Sequence, residues 1–255
     1  MTTAKRENPL LARADMVATG VLPDAGVRIS AVRTGRLAED AARRWGWKEG
    51  IDERWGSHAA YSLMYASFLR GEERVKASLT VGDSALFTEC IAVGEVRGYA
   101  ESRTPPADDA DGADAGTLAV ERVLYGLSQP HTSTLPASGD LRRDWQTFYD
   151  SSEQVPSFCV VETARDDAGG VFVGGVTVQA IAAAGGKPAP MSEVKSTEGG
   201  GLMQGAAAVG RVRELWEGGH LPDMAATFRE SRDGLDEYGE FGVNGMNHAS
   251  CTRHY

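Results

Sequence analysis

The 255-residue chain is long enough for one or two domains with a sizeable core, and its 42% hydrophobic and 24% charged residues are typical of a soluble globular protein. A net charge of −10 argues against sequence-independent nucleic-acid binding, which requires a basic surface that displaces counterions from phosphates. No run reaches the roughly eighteen apolar residues that a membrane-spanning helix needs. We therefore expect no direct nucleic-acid binding and no membrane span.

The cysteines and the N-terminus indicate a reducing compartment. Cys90, Cys159 and Cys251 are widely spaced and form no CxxC pair, which disfavours a disulfide scaffold. The first residues, MTTAKRENPLLARADMV, lack the apolar core of a secretory signal. The expected location is intracellular, in the cytoplasm or in a mitochondrial or plastid matrix.

The first predicted elements are a strand and two helices. Residues 27–32, VRISAV, alternate like a strand, and residues 34–47 have the period of a helix. The apolar face of that helix comprises Leu37, Ala41, Ala42 and Trp45. Residues 51–71 predict a second helix, with Asp52 as its cap and Gly71 at its end. This helix is apolar nearly all round, so we expect it in the interior.

A meander of short strands follows. RVKASLT (74–80) alternates with a period of two, and Gly82-Asp83 predicts a turn into SALFTECIAV (84–93). Gly94-Glu95 predicts another turn into VRGYAES (96–102), so the three strands should be antiparallel. The next segments are an acidic stretch, 105–116, that we interpret as a solvated loop, and two further strands, 117–126 and 131–137.

A helix and a hairpin complete the predicted core. Asp140 is an N-cap residue, and Trp145 and Phe148 lie on one face of a helix over residues 140–152. Pro156 ends it, because proline keeps the preceding residue out of the helical region. Residues 157–181 then predict two strands of a hairpin.

After residue 181 the composition and periodicity of the sequence change. Residues 182–200 predict a flexible linker, residues 201–219 an amphipathic helix, and Pro222 the start of a short second helix. We divide the chain into a core domain (1–186), a helical linker region (187–235) and a tail (236–255). The apolar residues of the long helix proposed as a client or partner surface are Leu202, Val209, Val212, Leu215 and Trp216.

Catalytic and cofactor motifs do not match. GGGLMQG (199–205) lacks the third glycine of a dinucleotide loop, and proline after Lys187 breaks a phosphate-binding loop. The chain has no nucleophile elbow and no HExxH helix. We expect no catalytic residue, no bound cofactor and no metal.

Two places contain residue types that bind metals. His58 has no partner at ligand spacing, so a packed, hydrogen-bonded histidine is the favoured interpretation. In the tail, His248, Cys251 and His254 lie three residues apart, which is one ligand short of a closed structural zinc site. A tail without metal is favoured there, and a zinc site remains the alternative.

Four stretches together resemble the heat shock protein 33 family of redox-regulated chaperones: 71–86, 96–102, 144–157 and 169–181. The third is similar to the family's Tyr-Phe-x-x-Ser-Glu-Gln-x-Pro signature, with the two aromatic residues in reverse order. The signature residues retained here are Ser152, Glu153, Gln154 and Pro156. The resemblance runs in order over about residues 10–181.

The resemblance implies an α+β fold, with antiparallel sheets and packed helices, followed by a helical linker and a zinc module. In the family that module holds zinc with four cysteines in CxC and CxxC pairs and senses oxidation. Only Cys251 corresponds to such a ligand, so we expect the redox switch to be lost. The resemblance also implies no catalysis, with Glu153 as a fold residue.

The expected function is therefore a holdase-like domain that binds unfolded polypeptides without redox control. The alternative is a structural subunit that retains the chaperone fold within a larger, for example mitochondrial, assembly. An enzyme with an unrecognised site is the least favoured class. A homodimer is left open.

The first prediction concerns zinc. The purified 255-residue chain should contain well below one zinc per molecule, because its three cysteines cannot supply four thiolates. For the same reason, peroxide should leave its binding behaviour unchanged. Elemental analysis before and after peroxide treatment measures this. Stoichiometric zinc that disappears in Cys251→Ser would contradict the prediction and establish the tail as a metal site.

Overall fold

A computed structural model describes two β-sheets with helices packed between and around them. The residues it describes are 15–48, 50–71, 73–102, 116–124, 126, 129–165, 169–181, 200–220, 246–247 and 250–251. Within these residues, none of the helices is both long and apolar enough to span a bilayer. The expected α+β class is confirmed.

The first sheet has five strands in the order β10–β1–β2–β9–β8, and all its neighbours are antiparallel. Its strands are β1 (Met16–Leu22), β2 (Val27–Arg33), β8 (Ser157–Arg165), β9 (Val171–Ala180) and β10 (Met246–Asn247). A short 3₁₀ helix, Pro23–Ala25, forms the turn between β1 and β2. The predicted hairpin over 157–181 is confirmed as β8 and β9.

The second sheet has six strands in the order β11–β5–β4–β3–β6–β7. Its strands are β3 (Arg74–Val81), β4 (Ser84–Ile91), β5 (Glu95–Ser102), β6 (Gly116–Val123), β7 (His131–Ala137) and β11 (Ser250–Cys251). The predicted meander is confirmed as the antiparallel strands β3, β4 and β5. Only β11 runs parallel to its neighbour, β5.

Four α-helices accompany the sheets in the described residues: α1 (Gly35–Trp45), α2 (Ile51–Ala66), α3 (Leu141–Phe148) and α4 (Gly200–Glu217). The Asp140 carboxylate caps α3 by accepting a hydrogen bond from the Arg143 N–H at 3.1 Å, as predicted. A π-helical turn, Tyr149–Glu153, continues α3, so the predicted helix over 140–152 is confirmed with a wider last turn.

Helix α2 occupies the space between the two sheets. Every residue from Trp55 to Ala66 is buried, as expected for a helix that is apolar nearly all round. The neutral ring of His58 is held by two contacts: Nε2 lies 3.2 Å from the Ala77 carbonyl oxygen, and Trp145 Nε1 donates to Nδ1 at 3.4 Å. The predicted packed histidine is therefore confirmed.

A close approach explains a glycine in the return strand β9. A Cβ placed on Gly175 would lie 2.7 Å from the Val161 side chain and 3.1 Å from the terminal methyl of Met64. Real Cβ atoms do not tolerate the first distance, so a side chain here would push α2 or β8 away from β9. The glycine lets the helix pack directly on the sheet.

Some local predictions were wrong. Trp45 was placed on the buried face of α1 but is 56% exposed, because it lies in the last turn, beyond the part that packs on the core. The N-cap of α2 is Gly50, not Asp52; the Asp52 carboxylate instead accepts from the Gly50 N–H and pairs with Arg165 of β8 at 2.9 Å. The helix ends at Ala66, because the chain turns to enter β3.

Strand β1 was not predicted, because Gly20 interrupts its short alternation of side chains and because its partner, β2, follows only after a turn. The tail, for which no strand was predicted, contributes β10 and β11 to the two sheets. The predicted linker (182–200, except for its last residue), the second helix at Pro222 and the acidic loop (except Gly116) lie outside the described residues. The division into three domains stays a prediction.

Trp145 supports a stability prediction. Its side chain is fully buried, with its ring 5.7 Å from that of Tyr61 and 5.6 Å from that of Phe148. Replacing it by alanine should lower the free energy of unfolding by about 3–5 kcal/mol, since the cavity cannot collapse between two sheets. Urea denaturation measures this, with Trp45→Ala as the exposed control at less than about 1 kcal/mol. A loss below about 1 kcal/mol for Trp145→Ala would refute the packing.

His58 supports a prediction about pH. Burial lowers the pKa of His58 from 6.5 to about 4, only partly offset by its bond to Ala77, and Arg54 lowers it further. Between these two pH values, His58 is protonated in the unfolded chain but neutral in the folded chain. The free energy of unfolding therefore decreases as the pH falls from about 6.5 toward 4. Between pH 7.5 and 5 this should cost about 2 kcal/mol.

The measurement compares the wild type with His58→Gln at both pH values. Burial raises the pKa of Asp15 to about 6, which acts in the opposite direction, but this contribution is shared by both proteins and cancels in the comparison. A proton NMR titration of the His58 ring gives a direct check. Protonation near pH 6.5 in the folded protein would contradict the prediction.

Candidate functional site: an apolar sheet face under helix α4

The five-stranded sheet has an apolar face on the side away from α2. Successive side chains of a strand point to opposite faces, so Cys159 and Val161 contact the main core while Phe158 and Val160 face the other way. The outer face is formed by the adjacent strands β2, β9 and β8. Its apolar residues are Val27, Ile29, Phe158, Val160, Val176, Val178 and Ala180.

Helix α4 covers this outer face. Val209 is 3% exposed and is buried in the outer cluster, and Val212 and Trp216 pack against its edge. Leu215 is half-buried, and Leu202 belongs to α4, although its side chain lies outside the described residues. Of the predicted client or partner surface, Val209, Val212 and Trp216 thus pack against the protein's own sheet. The role of this surface in binding stays a prediction.

The first turns of α4 lie very close to the sheet. A Cβ on Gly205 would lie 2.2 Å from the carbonyl oxygen of Gly26 and 2.9 Å from the Cβ of Ala180. The Gln204 amide also donates a hydrogen bond to the Asp24 carbonyl in the β1–β2 turn. By contrast, nothing lies within 4 Å of a Cβ on Gly210. Gly205 is therefore the position at which α4 must lack a side chain to dock.

Polar and aromatic contacts hold the second half of α4. Arg213 Nη2 donates to the Ser157 carbonyl at 3.0 Å and lies 3.9 Å from the Asp150 carboxylate. Its guanidinium is 5.9 Å from the Phe158 ring centroid, and Trp216 packs against the same ring at 6.4 Å. The Arg213 and Asp150 side chains are both exposed, so this ion pair adds little stability and the aromatic contacts matter more.

The signature residues form the junction between α3 and β8. The Tyr65 hydroxyl of α2 donates to Glu153 Oε1 at 2.5 Å, and burial, followed by the nearby Glu153 carboxylate, raises the pKa of Tyr65. Gln154 has φ = 55°, the only positive φ of a non-glycine residue in the described parts of the chain. Pro156 then accepts the Ala180 N–H at 2.9 Å, which fixes the start of β8 beside β9.

A polar cleft of about 310 Å³ lies next to this junction, between α2 and β6. Glu153, Ser152, Arg122 and His131 are among the residues that line it. Among the described residues that line the cleft, Glu153 is the only carboxylate, and it accepts a hydrogen bond from the Tyr65 hydroxyl.

The structure describes two thiols within the core. Cys90 and Cys159 are buried in β4 and β8, and burial raises the pKa of both thiols. Their neutral form is therefore favoured over the thiolate, which is the reactive form. His248 and His254 lie outside the described residues, and Cys251 belongs to β11.

No group of three histidine, cysteine or acidic side chains close enough to share a metal ion occurs in the part of the chain that is described.

Gly205 and Arg213 were not predicted from the sequence as residues that dock α4 on the sheet. A glycine inside a helical pattern is the signal that could have identified Gly205, since such a glycine weakens the helix and often marks close packing.

Comparisons with known proteins agree with this architecture. The Hsp33 protein family model matches residues 15–210. Curated relatives named 33 kDa chaperonin are 27% identical over 181 residues in a Cyanothece species and 29% identical over 176 residues in Thermus thermophilus. These alignments cover 66% and 64% of this chain. By its fold, the chain belongs to the class of α+β proteins in which two sheets enclose a buried helix and a further helix covers an apolar sheet face.

The chain belongs to the Hsp33 family. It spans 60% and 51% of the length of the two relatives just named. The crystal structure of the 33 kDa chaperonin (heat shock protein 33 homolog) from Thermotoga maritima has the same fold, with a TM-score of 0.66 and 21% identity. That superposition covers 95% of this chain and 81% of the other.

Proposed function

We propose that this chain is a chaperone domain that binds unfolded polypeptides through the apolar face of β2, β8 and β9 when α4 leaves it. The observation that carries the proposal is the position of α4, which lies over the apolar face that β2, β9 and β8 turn away from the main core. An uncovered apolar face of this kind is typical of a surface that binds other proteins.

The proposed binding is driven by burial of apolar side chains, which needs no particular client sequence. If α4 left the sheet, the apolar face of the sheet and the apolar face of the helix would both be exposed. The sheet would present residues such as Phe158 and Val178, and α4 would present Val209, Val212 and Trp216. A client could then contact both, which keeps the predicted helix surface as part of the proposal.

Helix α4 acts in this proposal as an intramolecular competitor. A client binds only to the fraction of molecules in which α4 is undocked, so the apparent affinity is reduced by that fraction. Weak docking contacts suit this role, and the Arg213–Asp150 pair is exposed and 3.9 Å long. Residues 182–199 connect β9 to α4 and keep the competitor at high local concentration.

We propose further that thiols of this chain do not control the exchange. Cys90 and Cys159 are buried in the main core, and their raised pKa values disfavour oxidation. Temperature or partial unfolding would instead release α4. A structural subunit of a larger assembly, the alternative from the sequence, is not favoured, since the relatives are named chaperonins.

The prediction from this proposal uses two glycines of the same helix. Gly205→Leu should force α4 off the sheet, because its side chain would collide with Gly26 and Ala180. Gly210→Leu makes the same chemical change where nothing lies within 4 Å, so it is the matched control. We expect Gly205→Leu to suppress aggregation of a guanidine-unfolded test enzyme several-fold better than Gly210→Leu, measured by light scattering.

Binding of an environment-sensitive apolar dye should rise in parallel for Gly205→Leu only, while far-UV circular dichroism verifies that both variants retain the two sheets. Equal activity of the two variants and the wild type would mean that docking of α4 does not limit binding. Failure of all three proteins to hold the unfolded enzyme in solution would refute the chaperone function itself.

A further inference from the structure

The guanidinium of Arg213 is held by groups that do not belong to α4. Its Nη2 donates to the Ser157 carbonyl oxygen at 3.0 Å and lies 3.9 Å from Asp150 Oδ1. The centroid of the Phe158 ring is 5.9 Å from the same guanidinium. A carbonyl, a carboxylate and an aromatic ring each attract a cation. Asp150, Ser157 and Phe158 therefore form a guanidinium site on the surface that α4 covers.

The two acceptors of the guanidinium site are held in place by α3. Gln146 Nε2 donates to the Ser157 carbonyl oxygen at 3.0 Å and to Asp150 Oδ1 at 2.9 Å. Gln146 is itself fixed, because its Oε1 accepts the Cys159 N–H at 3.2 Å. A carbonyl oxygen has two lone pairs, so Ser157 can accept from Gln146 and from Arg213 together. The guanidinium site is thus built without any group of α4.

A second arginine of α4 has a different environment. Arg211 Nη1 pairs with Glu214 of the same helix at 3.2 Å, and both of these side chains are exposed. Arg213, two residues later, bonds to α3's neighbour segment and to β8 instead. The contact with the guanidinium site therefore depends on the position of the arginine in the helix and not on the charge of the helix as a whole.

Apolar anchors lie on both sides of Arg213 along the same face of α4. Val209, four residues before it, is buried in the outer cluster, and Trp216, three residues after it, packs against the Phe158 ring at 6.4 Å. Residues three and four apart lie on one side of a helix. Helix α4 thus presents to the sheet an arginine between two apolar residues.

We propose that the guanidinium site selects among clients: it favours unfolded segments that place an arginine between apolar residues at the helical spacing of Val209, Arg213 and Trp216. Apolar burial on the sheet face supplies affinity for many segments, and the guanidinium site adds a preference. Helix α4 is then the chain's own copy of a preferred segment. This inference rests on the proposed chaperone function and specifies the class of client that it binds.

The chemistry of the site favours arginine over the other charged residues. A planar guanidinium can donate to the carbonyl and face the aromatic ring at once, whereas the compact ammonium of lysine is more strongly hydrated. An acidic client residue would be repelled by the Asp150 carboxylate. Arg142 of α3 also lies 5.9 Å from the Phe158 centroid, so a client arginine would share the ring with it, as Arg213 does.

The first experiment adds α4 to the protein as a separate peptide. The full chain with Gly205→Leu, in which the attached helix is displaced, is titrated against a fluorescently labelled peptide of residues 203–219 and followed by anisotropy. Citrulline in place of Arg213 keeps the planar shape but removes the charge, and should weaken binding about three- to fivefold at low salt. Citrulline in place of Arg211 is the matched control and should leave the affinity unchanged.

The second experiment changes the protein. Asp150→Asn, introduced beside Gly205→Leu, retains an oxygen that can accept from Gln146 and removes the charge. It should weaken binding of the arginine peptide by the same factor and leave binding of the Arg213→citrulline peptide unchanged, because groups in direct contact give non-additive effects. Asp40→Asn, at an exposed acid that pairs with Arg43 of α1, is the control and should change neither affinity.

Three outcomes would overturn the proposal. The arginine and Arg213→citrulline peptides bind equally, the effects of citrulline and Asp150→Asn add, which would indicate a general charge effect, or the peptide of residues 203–219 does not bind saturably. The wild type provides a second receptor if Gly205→Leu is poorly folded. Its attached helix competes, so the same order of peptide affinities should appear at higher protein concentrations.

The aggregation assay separates this inference from the proposed function. If Gly205→Leu holds the unfolded enzyme while neither citrulline nor Asp150→Asn alters peptide binding, the chaperone function stands and the preference for arginine does not. If Gly205→Leu fails to hold the enzyme although peptide binding depends on Arg213 and Asp150, the site serves the chain's own helix. The chaperone function and the selection of clients would then both be refuted.

Discussion

The structure depends on the burial of helix α2 between two sheets. A helix buried over most of its length has little access to water, so its polar side chains need partners within the protein. His58 finds them in Ala77 and Trp145, and Ser62 in its own helix and Thr88 at 2.7 Å. These bonds fix α2 against α3 and against β3 and β4 of the six-stranded sheet.

The family signature extends the same constraint to the surface. Tyr65, near the end of α2, donates to Glu153 in the π-helical turn, and Pro156 a few residues later fixes β8 beside β9. The segment therefore joins the buried helix to the sheet whose outer face α4 covers. The glutamate at the end of this helix is a structural link between α2 and the π-helical turn.

The five-stranded sheet combines a rigid inner face with a less firmly held outer face. Its inner face is fixed by α2, whereas its outer face is closed by a helix with exposed polar contacts. Regions with few buried contacts open at lower free energy than the core. The proposed binding face therefore lies where the structure can open without losing its fold.

The sequence by itself determined the elements whose period and punctuation are local: the meander from β3 to β5, the capped helix α3, the β8–β9 hairpin and the burial of His58 and Trp145. Only the tertiary structure decided that the apolar stripe of α4 packs on its own sheet, that Gly205 permits this, and that β1 and the tail share an edge. A hydrophobic face is visible in a sequence, but its partner is chosen by contacts between segments far apart in the chain.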